Sequence, residues 1–205
     1  MMKRGRGDKF SKARDVFRRH HGLLRTQQAL RQGIHPRVLY GMESAGVIEK
    51  LSRGLYRLTE LPNLGDPDLV TVSLKVPQGV ICLISALAFH KLTTQIPHQV
   101  YLALARGAEP PRVDFPPIRV FWFASKPFME GIETHKLDAV PVRVYNTEKT
   151  LADCFKYRNK IGIDTALEAL RLYREQGRVK VDELMRYAAI CRVQKIIRPY
   201  LEALL

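Results

Sequence analysis

Arg37, Tyr40 and Ser44 fall at i, i+3 and i+7. On one helix they share a face, and a guanidinium, a phenol and a hydroxyl in a row are groups that can read base edges in a DNA major groove. Pro36 suits the first turn of that helix and Gly46 its stop, while Val38, Leu39, Met42 and Ala45 make the apolar stripe opposite. Upstream, Thr26, Gln27, Gln28 and Arg31 belong to a shorter helix with Thr26 as its N-cap. Its side chains and free backbone N–H groups can donate to phosphate oxygens. Downstream, Lys50, Arg53 and Arg57 put charge on a ribbon that can follow the phosphate backbone or enter the minor groove. An exposed Arg is more often a solvated charge than a base reader, and Tyr40 can equally be a partly buried core residue. Residue types alone leave both readings standing.

The elements that must position these groups follow from periodicity. Ala13, Val16, Phe17 and His20 recur at i, i+3, i+4 and i+7, with Lys12, Arg14, Asp15, Arg18 and Arg19 on the other face, which predicts an amphipathic helix closed by Gly22. His20 and His21 end it and have no acidic or Cys ligands at metal spacing. Gly33 ends the second helix and Pro36 opens the third. After Gly46 the period changes to two, giving strands at 47–51 and 55–58 around a glycine turn. Three short helices and a hairpin, in that order, predict a winged helix-turn-helix over residues 1–61, with a basic arm of Arg4, Arg6 and Lys9 before it.

Charge supports a polyanionic partner. The 205 residues carry 34 Lys+Arg against 20 Asp+Glu, a net +14 with a pI near 10.0. Residues 1–60 hold 14 basic and 5 acidic side chains, so +9 of the excess sits in under a third of the chain. Such a balance points first to nucleic acid, then to an anionic membrane or an acidic partner. Three widely spaced cysteines, Cys82, Cys154 and Cys191, make neither a disulfide framework nor a Cys-x-x-Cys site and suit a reducing cytoplasm. No apolar run approaches membrane-spanning length, and Met1 to Arg4 is not followed by a signal-peptide core.

Leu61 to Pro67 has the composition of a linker, so 62–205 reads as a second domain. Residues 68–76 are ambiguous between helix and strand, and the Asp68 cap favours helix; 80–92 reads as a buried helix with Leu83, Leu87 and Leu92 inside. Strands are predicted at 100–105, 118–124, 131–137 and 140–145. From Asn146 the pattern is helical to the end, with caps at Asn146 or Thr147 and at Asp182, and with Pro199 kinking or restarting the last helix, whose stripe includes Leu204. The fold class is α+β: a winged helix-turn-helix, then a small, mostly antiparallel sheet and C-terminal helices. The basic helix residues Arg171, Arg174, Arg178 and Lys180 are candidates for flanking phosphate contacts, against the usual reading of a solvated face.

Catalytic signatures are missing from the sequence. It holds no Gly-rich phosphate loop, no His-Glu-x-x-His, no Gly-x-Ser-x-Gly and no metal-spaced Cys/His set. Cys154 with His135 is a conceivable nucleophile and base, but a Cys within Leu151-Ala-Asp-Cys-Phe155 is far more often core, and Asp153 reads as the partner of a nearby Lys or Arg. The expectation is therefore no enzyme, no cofactor and no metal.

The run LLRTQQALRQGIHPRVLYGMESAGVIEKLSRGLYRL, with its Ser-Arg-Gly-Leu-Tyr-Arg wing, resembles the winged N-terminal domain of AbiEi-type antitoxins. VICLISALAFHKLTTQIP resembles the family's Ser-x-x-Ala-containing helix, and VPVRVYNTEKTLADCF its strand and Thr-Glu-Lys-Thr-Leu-x-Asp helix. The resemblance implies the antitoxin of a type IV toxin–antitoxin system linked to abortive phage infection. In such a protein the winged domain represses its own promoter at inverted repeats of double-stranded DNA, and the C-terminal domain counters an AbiEii-like nucleotidyltransferase toxin without needing a stable complex. Thr26, Gln27, Gln28, Arg37, Tyr40, Arg53 and Arg57 are the positions carried over, and no active site is. Two alternatives stand beside this reading: a nucleic-acid-acting enzyme delivered by the winged domain, and a module binding an acidic protein.

Overall fold

The computed structural model describes residues 10–61, 64–177 and 179–204; Arg4, Arg6, Lys9, Arg178 and the side chain of Leu204 lie outside what is described. The chain divides into two compact units, Met1–Pro67 and Asp68–Leu205.

The first unit runs α1 (Ser11–Arg19), β1 (Leu23–Arg25), α2 (Thr26–Arg31), α3 (Pro36–Ser44), β2 (Ile48–Ser52) and β3 (Leu55–Leu58). Ala13, Val16 and Phe17 are the buried stripe of α1, as their spacing predicts. In α3, Leu39 and Met42 are buried, but Val38 is only half-buried and Ala45 is the exposed C-cap, so the apolar stripe is narrower than expected. The hairpin forms with a two-residue turn at Arg53-Gly54, where Gly54 takes φ +73, a conformation that suits a residue without Cβ. Strand β1 is an addition: it pairs antiparallel with β3, Leu23 opposite Arg57 and Arg25 opposite Leu55, so the sheet order is β1-β3-β2. It also moves the cap of α2. The N-cap is Arg25 rather than Thr26, because the strand runs directly into the helix and Gln28 Oε1 reaches back to accept from the Arg25 N–H at 3.1 Å. Phe17, Leu24, Leu39, Met42, Ile48 and Leu58 close the core of this unit.

The second unit contains α4 (Pro67–Lys75), β4 (Val80–Ile81), α5 (Leu83–Phe89), β5 (Val100–Ala105), β6 (Ile118–Phe123), α6 (Ser125–Met129), β7 (Ile132–Leu137) and β8 (Val140–Tyr145). Helices α7 (Thr147–Lys156), α8 (Arg158–Ile161), α9 (Ile163–Glu175), α10 (Val181–Ile190) and α11 (Gln194–Leu204) follow. The α+β class is as expected. Across both units β1–β3, β2–β3, β4–β5 and β7–β8 pair antiparallel, whereas β5–β6 and β4–β8 are parallel, and the second sheet has the order β6-β5-β4-β8-β7. The expected helix over 80–92 is shorter: Val80 and Ile81 form the central strand instead, since an apolar dipeptide buried on both faces satisfies its backbone only by pairing with β5 and β8. Asn146 caps α7, its Oδ1 accepting from Lys149 N–H at 2.9 Å. Asp182 lies in the first turn of α10, whose N-cap is Lys180, and α11 continues through Pro199.

Candidate nucleic-acid interface

Helix α3 presents Arg37, Tyr40 and Ser44 as exposed residues along one face, with Tyr40 60% exposed although it is a large aromatic. An exposed phenol beside a guanidinium is a contact surface that the unit's own core does not use. Pro36 at the first turn and His35 at the N-cap start this helix; His35 Nδ1 accepts from the Arg37 N–H at 3.2 Å and holds the residue's backbone in place.

The hairpin turn and the start of α2 are fastened together. The Thr26 N–H donates to the Gly54 carbonyl at 2.9 Å, and a Cβ on Gly54 would stand 3.5 Å from Thr26 Oγ1. This corrects one expectation, since the Thr26 N–H serves the wing turn and is not open to a phosphate. Gln28 is divided in the same way: its Oε1 faces the Arg25 N–H, leaving the amide NH2 to donate outward. Gln27, Arg31, Lys50 and Arg53 are exposed.

Acidic residues sort the cations of this unit. Glu49 takes Arg57 at 2.7 Å, Glu60 takes Arg18 at 2.9 Å and Arg14 at 3.6 Å, and Asp15 lies 3.4 Å from Arg18. Among the described residues no acidic side chain pairs with Arg31, Arg37, Lys50 or Arg53 within ion-pair distance. Arg57 does not occupy the outer wing surface expected of it. Only 3% exposed, it donates from Nη1 to Glu49 and from Nη2 to the Leu61 carbonyl at 2.9 Å, because in the middle strand it lies between Leu23 of β1 and Glu49 of β2, on the face opposite the core residues Tyr56 and Leu58. The arrangement leaves Arg37 on α3, Lys50 and Arg53 on the wing and Arg31 on α2 without an acidic partner among the described residues.

This order of elements, with a third strand completing the sheet and α3 exposing Arg37 and Tyr40, is that of a winged helix-turn-helix. Residues 11–59 match the family of AbiEi antitoxin transcriptional regulators. The matched stretch begins with α1 and ends just after β3, so the AbiEi likeness covers the winged unit. No curated protein matches the chain.

In the second unit, Arg171 and Arg174 are exposed on α9, whereas Lys180 lies 3.4 Å from Glu183 and 4.0 Å from Glu148. Cys154 is fully buried and its thiol pushed well up by that burial, as core packing requires, while His135 Nε2 stands 3.0 Å from Glu133 in a different setting. Asp153 has the partner foreseen for it: Lys149 Nζ, with both side chains buried and the ammonium 4.1 Å from the Tyr145 ring centroid. Among the described residues no three His, Cys, Asp or Glu are grouped to hold a metal, and no helix is long and apolar enough to cross a membrane.

What sequence reasoning did not find is the buried polar layer around α7. Tyr173 donates to Glu148 Oε1 at 2.7 Å and accepts from the Lys180 N–H, and the Cys191 thiol donates to Asp153 at 3.2 Å. The Thr-Glu-Lys-Thr-Leu-Ala-Asp run was the available signal, because its charged residues Glu148, Lys149 and Asp153 are all buried against the helix's neighbours.

Proposed function

We propose that this protein is a promoter-binding autorepressor and the antitoxin of a type IV toxin–antitoxin pair. The observation that carries the DNA-binding half is the α3 face: Arg37, Tyr40 and Ser44 exposed in a row, flanked by Arg53 at the wing turn and by Gln27 and Gln28 at the start of α2. In this reading α3 enters the major groove, with Arg37 and Tyr40 at base edges. The Gln28 NH2, Gln27, Arg31, Lys50 and Arg53 bind phosphates on either side, and the wing turn is held in register by its bond to Thr26. Arg57 is a positioning residue, locking the hairpin through Glu49 and Leu61. The operator is double-stranded DNA with inverted repeats in the protein's own promoter, bound in the cytoplasm. Arg171 and Arg174 supply secondary phosphate contacts. Lys180 contributes less, since Glu183 and Glu148 already compensate its charge.

The regulator family matched by 11–59 supports the repressor role. The antitoxin role rests on the wider resemblance and assigns to the second unit the countering of a nucleotidyltransferase-like toxin, with no stable complex required. DNase footprinting over the region upstream of the gene tests the first half: protection of paired inverted half-sites is expected, and uniform coverage without a footprint refutes it. Co-expression of the full chain with a neighbouring nucleotidyltransferase gene tests the second, with restored growth expected and continued arrest refuting it.

A further inference from the structure

The second unit holds a cavity of about 530 Å³ whose lining brings together Arg106, Lys126, Lys156 and Arg192 with Trp122 and Tyr157. The cations come from four separate places: the residue after β5, helix α6, the end of α7 and the second residue after α10. All four are exposed, and among the described residues none has an acidic partner within ion-pair distance. The single carboxylate in the lining, Asp153, is 1% exposed and occupied by Lys149 and by the Cys191 thiol, so it does not neutralise the rim. Tyr157 adds no negative charge, its phenol being pushed up to about 12 chiefly by burial. Four unpaired cations held around one concavity repel one another, and an anion is what relieves that.

The aromatic wall narrows the anion's chemistry. Trp122 is 45% exposed yet fixed, its Nε1–H donating to the Ala108 carbonyl at 3.0 Å. A held indole beside a cluster of Arg and Lys matches a ligand that carries a planar ring and phosphate together. The volume lies within the range of small-ligand sites.

We propose that this cavity binds a nucleotide, its phosphates held by Arg106, Lys126, Lys156 and Arg192 and its base stacked on Trp122, either as a free nucleotide or as the terminal residue of a single strand of RNA. The site is independent of the α3 surface and does not rest on the DNA-binding reading.

Trp122 is the only tryptophan of the chain, so its fluorescence reports on the site directly. The full-length protein is titrated with ATP, GTP, CTP and UTP, with a short single-stranded RNA and with inorganic pyrophosphate, correcting for ligand absorbance, and affinities are repeated by calorimetry. Saturable quenching by a nucleotide or by the RNA is expected; which of the two binds more tightly identifies the source. The Lys156→Ala/Arg192→Ala variant should bind at least about tenfold more weakly, as loss of charge-assisted hydrogen bonds predicts. Lys91→Ala/Lys136→Ala, which removes two exposed charges outside the cavity lining, should bind within about twofold of the parent. Calorimetry on Trp122→Ala should show weaker nucleotide binding with pyrophosphate binding unchanged. No saturable binding of any probe up to about 5 mM overturns the proposal. So does equal weakening by the two double variants, or pyrophosphate binding as tightly as every nucleotide.

Discussion

Arg53 and Arg57 lie four residues apart in the same wing, and the structure gives them opposite roles. Arg53 is exposed at the turn with no described acidic partner, whereas Arg57 is 3% exposed and spends its guanidinium on Glu49 and Leu61. If Arg31, Lys50 and Arg53 each neutralise one phosphate, log affinity falls with log salt at a slope of about −2.7 per copy of the unit, from about −0.9 per phosphate. That is roughly a 40-fold loss between about 50 and 200 mM salt. Arg53→Ala should bring the slope to about −1.8, while Arg57→Ala, measured where it remains folded, should leave it at the parental value. Fluorescence anisotropy of a labelled duplex across a salt series reads the slope directly. An unchanged slope for Arg53→Ala, or an equal reduction by Arg57→Ala, would refute the charge sorting on which the interface depends.

Further outcomes follow from the packing. Arg57→Ala should destabilise the winged unit by about 2 kcal/mol in urea unfolding, from its charge-assisted bonds and buried stem, and stability equal to the parent would show the Glu49 pair to be idle. Asp153→Ala leaves Lys149 buried without its counter-charge and should cost the second unit about 3–5 kcal/mol, read as a lowered urea midpoint; a loss under about 1 kcal/mol contradicts this. His90, half-buried with Nε2–H donating to the Tyr145 carbonyl at 2.7 Å, has its pKa lowered from 6.5, first by burial. The unfolded chain therefore binds the proton more readily, and stability present above about 6.5 should fall as pH drops toward and through the lower folded value. His90→Gln should flatten that slope of melting temperature against pH, and an unaltered profile would show that other groups set it. Gly54→Ala, at φ +73, should lower the stability of the winged unit by about 1 kcal/mol, checked by thermal melting, and a neutral result would mean that the turn relaxes freely.

The three helices and the hairpin of the first unit are readable because each announces itself locally: a stripe at 3.6 residues, a glycine soon after each helix, Pro36 at the start of the third, and a change of period after Gly46. Strand β1 is too short to show a period, and only its pairing with β3 makes it a strand. The same holds for Val80 and Ile81, whose apolar run continues into α5 and whose partners lie more than twenty residues away. The exposed residues of α3 could be named from spacing, but the burial of Arg57 could not, because period-two alternation across a bulged hairpin does not say which side a neighbouring strand will cover. The cavity rim was beyond reach for a similar reason: Arg106, Lys126, Lys156 and Arg192 belong to separate elements and share no local signal.

Sequence recognition by the α3 face carries the proposed function. It is tested most directly by anisotropy at fixed salt, comparing a duplex from the gene's upstream region with a scrambled duplex of equal length and composition, for the parent and for Arg37→Ala/Tyr40→Ala. The parent should show at least about a hundredfold preference for the upstream duplex. The double variant should lose most of it, since each base contact is worth about 1–3 kcal/mol of discrimination. Equal binding of both duplexes by the parent, or a preference that survives the double substitution, would contradict it.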